Sequence, residues 1–416
     1  MSRLQRLNDL LALVTERNPF QRTRIGGPTQ LDAIDDLRRL PFTRKQDLLD
    51  DQRAHPPFGT NLTFGLNRYG HLNQTSGTTG QTLRVLDTDR DWEWWSAGLA
   101  HHLRAAGVGP DDRVALAYSF GPYVQFWASY AGVTGVGAMA IPLGGMDSVQ
   151  RLTTIADYEA TVFMATPSYA AHLAKVAAQN GLTAALSSVA RIVCTGEPGA
   201  SLPAMRERIE TAWEARCYDH AGAAEAGPFA YPCAAAGGLH LYEDEFVCEL
   251  IDSQGDEPVA DGQLGELVVT ALGRTGFPVV RYRTGDLVCA TTEPCPAAHP
   301  GRWLRDGIPG RADDMVVVRG MNVFPSAIEQ ILRETTELGE FRITFYADPH
   351  AMDEVKVEAE LPRPGDARLI QTRLRQRLGL RVRIVPVKPG ILPAHTHKAR
   401  RVADLRPRRF TAGGLR

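Results

Sequence analysis

The residues of this chain best suited to chemistry begin in Asn73–Arg84, NQTSGTTGQTLR. Thr75, Ser76, Thr78 and Thr79 supply four hydroxyls within five positions. Gly77 and Gly80 let the backbone turn sharply and approach a ligand closely. Backbone N–H groups and hydroxyls so arranged wrap an anion, most often a polyphosphate. An ordinary polar loop is the competing reading. A Walker-type loop fits poorly, because it ends in Gly-Lys-Ser/Thr. Here Gln81 follows Gly80, and the loop has no lysine.

A second constellation is Cys233, His240, Cys295 and His299, spaced C-x6-H and C-x3-H. Thiolates and imidazoles in a reduced protein suit tetrahedral zinc with a structural role. Cys289 is the substitute ligand should His299 point away. Four unrelated side chains are the alternative. Cys194, Cys217 and Cys248 stand in apolar runs and read as packing residues.

These residues need a scaffold. Leu4, Leu7, Leu10, Leu11 and Val14 recur at helical spacing, so the chain opens with an amphipathic helix. A helix over Lys45–Asp51, capped by Thr43, precedes the glycine-threonine loop. Beyond the loop, helices at Trp92–Ala106, Phe126–Gly132, Ser148–Tyr158 and Pro167–Asn180 alternate with strands. Those strands are Arg113–Tyr118, Ala138–Pro142, Thr161–Ala165 and Arg191–Thr195. Such alternation predicts a parallel sheet covered on both faces. Ligands on such sheets sit at the carboxyl ends of strands, where Tyr118–Gly121 and Thr195–Pro198 fall. From about Leu239 to Gly310, short strands and turn signals predict a small β-rich subdomain. The expected class is α/β: a large N-terminal domain over residues 1–312, then a small mobile α+β domain over 313–416.

The bulk numbers fit this picture and exclude others. A chain of 416 residues is long for one core. Hydrophobic residues at 44% and charged residues at 23% describe an ordinary soluble protein. A net charge of -2 gives no electrostatic footprint for nucleic acid. The Arg400–Arg409 stretch reads as a solvated basic tail. Glycines and Pro142 interrupt the most apolar region, Tyr123–Gly145, so no membrane span is expected. Charged residues near the N-terminus argue against a signal peptide. Six cysteines in so long a chain argue against a disulfide scaffold, and a cytoplasmic setting is expected.

Five motifs occur in order: TSGTTG; Tyr218–Glu225, YDHAGAAE; Arg281–Asp286, RYRTGD; Gly310–Ser326, GRADDMVVVRGMNVFPS; and Lys398–Val402, KARRV. From about residue 30 to residue 405 the chain resembles the adenylate-forming enzymes. LPFTRKQDLL and NVFPS point to their phenylacetate–CoA ligase branch. That branch often has cysteines near the four metal candidates.

The resemblance implies an ATP-dependent ligase that joins a carboxylate to AMP and then passes the acyl group to a thiol, by default coenzyme A. An amine, a hydroxyl or a carrier-protein thiol is the alternative acceptor. By resemblance, Thr75, Ser76, Gly77, Thr78, Thr79 and Gly80 hold phosphates, and Glu225 helps hold Mg²⁺. Gly196, Glu197, Pro198, Asp219, His220 and Ala221 lie beside the nucleotide. Asp286 takes the ribose hydroxyls, and Arg311 pairs with ribose or phosphate. Lys398 is the catalytic cation, and Asp313 is the hinge of the small domain. The acyl pocket draws on Tyr118, Phe120, Phe126, Trp127, His220 and Gly222.

The sequence departs from the family at Ala221, where an aromatic usually stacks on adenine, and at Ala224, where Ser or Thr precedes the glutamate. Phe126 and Trp127 stand in a region that is glycine-rich in the phenylacetate enzymes. Either they shorten the pocket, favouring a small aryl acid of benzoate or anthranilate type, or they pack the core. His220 either bonds a substituent of the acid or is structural. A homodimer is compatible with the sequence. A kinase and a nucleotide-binding module without catalysis are the readings from other classes.

Overall fold

The computed structural model describes residues 1–75, 82–197, 199–234, 237–253, 255–297, 299, 301–312, 316–318, 321–323, 325–346, 354–363, 365–379, 381–392 and 401–406. It divides into two compact units. One comprises Met1–Ser201 and Arg208–Ile308; the other comprises Leu202–Glu207 and Pro309–Arg416.

A parallel sheet organises the first unit. Its order is Met139–Pro142, Arg113–Leu116, Val162–Ala165, Arg191–Cys194, Arg216–Asp219. The inner strands are continuous apolar runs because helices bury both faces. Val114, Met164 and Val193 pack with Leu103, Phe126 and Val133 from those helices. Local capping starts the helices where the sequence allows it. Asp147 accepts from Gln150 N at 2.8 Å, and Thr166 accepts from Tyr169 N at 3.3 Å with Pro167 in the first turn.

The Lys45 helix starts differently from the sequence expectation. Thr43 is not its cap: the Thr43 hydroxyl donates to Val280 O at 2.7 Å. Asp47 instead accepts from Arg44 N at 2.8 Å, and the helix runs Lys45–Ala54.

Strands Tyr69–Gln74 and Arg84–Thr88 form an antiparallel hairpin whose register pairs Gln74 with Arg84. The stretch between them contains Ser76, Gly77, Thr78, Thr79 and Gly80, which lie outside the described residues.

An antiparallel sheet completes this unit, in the order Phe246–Ile251, Leu264–Ala271, Tyr282–Thr291, Trp303–Leu304, Leu239–Leu241, Gly227–Pro232, Ala221–Ala223. The β-rich part therefore begins at Ala221, not near residue 239. Ala221–Ala223 is made only of small residues, and Gly227–Pro232 carries two prolines, so neither announces itself as a strand. The sheet buries Phe229, Phe246, Leu267 and Phe277 in one cluster.

The second unit holds a four-stranded sheet in the order Val382–Val387, Glu354–Glu360, Phe341–Tyr346, Val402–Asp404. Helices Pro325–Thr335 and Asp366–Leu378 cover it through Ile328, Ile331, Leu332, Ile370 and Leu374. The Arg400–Arg409 segment is not wholly a solvated tail. Val402–Asp404 is an edge strand parallel to Phe341–Tyr346. Arg401 Nε lies 3.2 Å from Glu340 Oε2, and its guanidinium lies over Phe341. Among the described residues, no helix is long and apolar enough to cross a membrane.

Candidate active site

Because the first sheet is parallel, all its strands deliver their carboxyl ends to one edge. Tyr118 follows Arg113–Leu116, and Gly196 and Glu197 follow Arg191–Cys194. Asp219 closes the strand Arg216–Asp219, and His220 follows it. The sheet thus gathers Tyr118, Gly196, Glu197, Asp219 and His220 along one rim.

Tyr118 is buried, and its hydroxyl donates to Ala165 O at 3.3 Å. Gly196 has φ 91°, which favours glycine. Glu197 Oε1 accepts from Ser168 N at 2.7 Å, at the N-terminus of helix Pro167–Gln179. Asp219 Oδ2 accepts from the Ser201 backbone N–H at 3.0 Å and its hydroxyl at 2.7 Å. Burial pushes the Asp219 carboxyl up to about 7 against those bonds.

His220 is buried and faces His102 of helix Asp89–Ala105, with ring centroids 5.6 Å apart. Among the described residues, neither ring nitrogen of His220 meets a hydrogen-bond partner, whereas His102 faces the Pro228 backbone. Burial pushes His220 down to about 4 and His102 well below the ordinary histidine value, so both are neutral near pH 7.

At Gly222 a Cβ would stand 2.8 Å from Gly227 O, so only glycine fits this close approach. The turn beyond brings round Glu225, whose carboxylate is 5% exposed and meets Lys45 Nζ at 3.0 Å. Its peptide is held by Arg274, whose Nη1 donates to Ala224 O at 2.7 Å and Glu225 O at 2.8 Å. Sequence reading missed Lys45, Arg274 and His102. Lys45 lay in LPFTRKQDLL, which served only as a branch marker.

Asp286 is half-buried on the strand Tyr282–Thr291, and its N–H donates to Thr284 Oγ1 at 3.0 Å. Phe126 packs in the helix–sheet core. Its ring also contacts Phe120 at 4.6 Å and Trp127 at 5.0 Å between centroids. Phe120 and Trp127 are exposed, and Trp127 Nε1 donates to Gly121 O at 2.8 Å. Arg311, in the second unit, ends the strand Gly310–Arg311. Pro198, Asp313 and Lys398 lie outside the described residues.

The metal candidates converge within the antiparallel sheet. Ligand atoms of Cys233, His240 and Cys295 lie within 4.8 Å of one another, all buried. His299 is beside them: its ring centroid is 4.8 Å from that of His240, and its N–H donates to Cys295 Sγ at 3.3 Å. Its Nδ1 meets the Tyr231 hydroxyl at 3.2 Å. Burial pushes His240 down to about 4, which keeps a neutral, ligating imidazole. Cys289 is engaged elsewhere, donating to Gly262 O. Cys194, Cys217 and Cys248 are buried among apolar side chains.

A family model described as the AMP-binding enzyme C-terminal domain matches residues 320–406. The phenylacetate-coenzyme A ligase of Escherichia coli (strain K12) is 31% identical over 421 residues, covering 97% of this chain and 94% of that protein. The phenylacetate-coenzyme A ligase of Thermus thermophilus is 30% identical, with 97% and 95% covered. A crystal structure of 2-hydroxyisobutyryl-CoA ligase, in the postadenylation state with 2-HIB-AMP, superposes with a TM-score of 0.90. It is 31% identical, covering 96% of this chain and 88% of that one.

A parallel sheet with its loops on one rim, an antiparallel sheet carrying a buried glutamate, and a small α+β unit together define an adenylate-forming acid–CoA ligase. Enzymes of this class use ATP and coenzyme A, with Mg²⁺. The chain belongs to the phenylacetate–coenzyme A ligase family.

Proposed function

We propose that this protein activates a small aryl carboxylic acid, of benzoate or anthranilate type, as its acyl-adenylate and transfers the acyl group to coenzyme A. The observation that carries the reading is the gathering of Tyr118, Gly196, Glu197, Asp219 and His220 on one rim of the parallel sheet. Family membership supplies the reaction. A carboxylate oxygen attacks the α-phosphorus of ATP, the bond to the bridging oxygen breaks, and pyrophosphate leaves. A thiolate then attacks the acyl carbon, and AMP leaves.

In the first step both reacting groups are anions. Cations and oriented donors must offset their repulsion. The loop Thr75–Gly80 is assigned the β- and γ-phosphates, Asp286 the ribose, and Gly196, Glu197, Pro198, Asp219 and Ala221 the purine side. Lys398 is assigned the carboxylate–phosphate bridge, where a flexible point charge suits a moving centre. The domain over 313–416 is assigned the swing between the two steps about Asp313, with Arg311 closing on the nucleotide. The Glu225 carboxylate is a hard oxygen donor already facing a cation, which suits Mg²⁺. Mg²⁺ would neutralise phosphate charge; the chain's part is to hold the carboxylate in place.

The aryl preference rests on the exposed rings of Phe120 and Trp127, both packed edge-on against the buried Phe126. A hydroxyl or amino substituent could meet one of the two bare nitrogens of His220, as donor or as acceptor. We assign the Cys233–His240–Cys295 cluster, with His299, to structural zinc. Its support is the buried donor set of two thiols and an imidazole whose ring nitrogens have no partner among the described residues.

Acid-dependent pyrophosphate exchange into ATP, screened over benzoate, anthranilate, phenylacetate and 2-hydroxyisobutyrate, tests the reading. Fastest exchange with benzoate or anthranilate, followed by thioester on adding coenzyme A, supports it. Fastest exchange with 2-hydroxyisobutyrate would overturn the aryl assignment. ATP binding with no exchange would favour a nucleotide-binding protein without catalysis.

A further inference from the structure

Arg274 stands at the junction of two segments that the reaction must hold in register. Its side chain is wholly buried, as is that of Asp87. Arg274 Nε donates to Asp87 Oδ1 at 2.8 Å, and its Nη2 lies 2.6 Å from the same oxygen. Its Nη1 donates to the carbonyls of Ala224 and Glu225. Asp87 belongs to the strand Arg84–Thr88, and its Oδ2 accepts from Asn73 Nδ2 on the partner strand at 3.3 Å. One guanidinium therefore ties the peptide of Glu225 to both strands that bracket residues 76–81.

The next residues are fixed to the same place. Asp91 Oδ1 accepts from Thr275 N at 2.7 Å and Gly276 N at 3.1 Å. Gly273 is pressed so closely on Trp94 that a Cβ would stand 2.2 Å from the indole. The rings of Phe277 and Trp95 are close by, with centroids 5.8 and 5.9 Å from the guanidinium carbon. The planar guanidinium fork that reaches a carboxylate and two carbonyls at once cannot be reproduced by a lysine.

We propose that Arg274 is a positioning residue for Glu225, fixing the carboxylate's point of departure relative to the hairpin of the phosphate loop. The inference rests on the reading of Glu225 as a Mg²⁺ ligand. Two carbonyls clamped in a dry site hold the peptide planes on either side of the Glu225 Cα, and so fix the direction in which its side chain leaves the backbone. Lys45, the cation facing that carboxylate, is 38% exposed and can yield to a metal ion. Losing a partner that orients a metal ligand lowers metal affinity by about 10–100-fold.

The test is calorimetric binding of α,β-methylene ATP, from which no AMP can be transferred because its methylene bridge does not break, with Mg²⁺ and with EDTA. The proteins are wild type, Arg274→Lys and Asp87→Asn. Arg274→Lys keeps a cation against Asp87 but loses the fork to the two carbonyls. In wild type Mg²⁺ should tighten binding. In Arg274→Lys that tightening should shrink by about 10–100-fold while the EDTA affinity stays within a factor of about two. A general packing defect would weaken both conditions equally, and that result, or an unchanged gain from Mg²⁺, would overturn the proposal. Should Arg274→Lys not fold, Asp87→Asn carries the test with the same expected loss. A wild type that gains nothing from Mg²⁺ would sink the Glu225 reading itself, a failure visible without any variant.

Discussion

Lys45 Nζ lies 3.0 Å from Glu225 Oε1, across 180 residues of chain and against a carboxylate only 5% exposed. The cation comes from the helix Lys45–Ala54 and the anion from the turn between two strands of the antiparallel sheet. On the proposed reading of Glu225 as a Mg²⁺ ligand, the metal ion would take the place of Lys45 beside this carboxylate.

Lys45→Met should destabilise the free protein by roughly 1–2 kcal/mol, between the values for exposed and buried pairs because Lys45 is partly solvated. Mg²⁺ with α,β-methylene ATP should restore more stability to this variant than to wild type. Thermal melts with and without the ligand check both parts. Equal ligand-induced shifts in the two proteins would separate Lys45 from the metal site.

His220 gives a pH signature. Burial lowers it from 6.5 to about 4, so between those values the unfolded chain holds a proton that the folded one does not. Stability from this group is present above pH 6.5 and is lost as pH falls to about 4. At about 1.4 kcal/mol per pH unit, a drop from 6.5 to about 4 corresponds to roughly 3 kcal/mol. Asp219 acts in the opposite sense: raised to about 7, it favours the folded state below its unfolded value and loses that contribution as pH rises to about 7. Urea melts of His220→Gln should therefore show a gain over wild type at about pH 4.5 that is absent at about pH 7.5. A gain of equal size at both values would contradict the assignment.

Much of the fold was legible before any coordinates. Strands such as Val162–Ala165 are unbroken buried runs, and Thr166-Pro167 marks a helix start by chemistry confined to a few residues. What escaped was non-local. Nothing near Thr43 says that its hydroxyl serves Val280, 237 residues away. Arg274 and Asp87 are 187 residues apart. Ala221–Ala223 owes its strand conformation to a neighbour in the sheet. For the candidate site, motif order pointed to Glu225 and Asp286 but gave no hint of the neighbours Lys45 and Arg274, or of His102.

Purified protein should carry about one equivalent of zinc per chain. Cys233→Ser or Cys295→Ser should lose it and melt at lower temperature. Elemental analysis below about half an equivalent would count against the four-residue site, and melting unchanged by chelators would show that no metal supports the fold.

Trp127 offers the cleanest test of pocket length, because it is exposed and its removal spares the core. Trp127→Ala should shift the ratio of kcat/KM for phenylacetate over benzoate upward by about 10-fold, the scale of one methylene in an apolar pocket. Exchange kinetics with the two acids measure it. No shift would leave the ring as mere surface packing.

The most direct measurement follows oxygen. With the preferred acid labelled with ¹⁸O in its carboxylate, and with ATP and coenzyme A, attack on the α-phosphorus must leave one labelled oxygen in AMP. Mass spectrometry of the nucleotide should find that label, with pyrophosphate unlabelled. Release of ADP, with the label in inorganic phosphate, would mean that the terminal phosphorus is attacked, and the account of this protein as an adenylating ligase would be wrong.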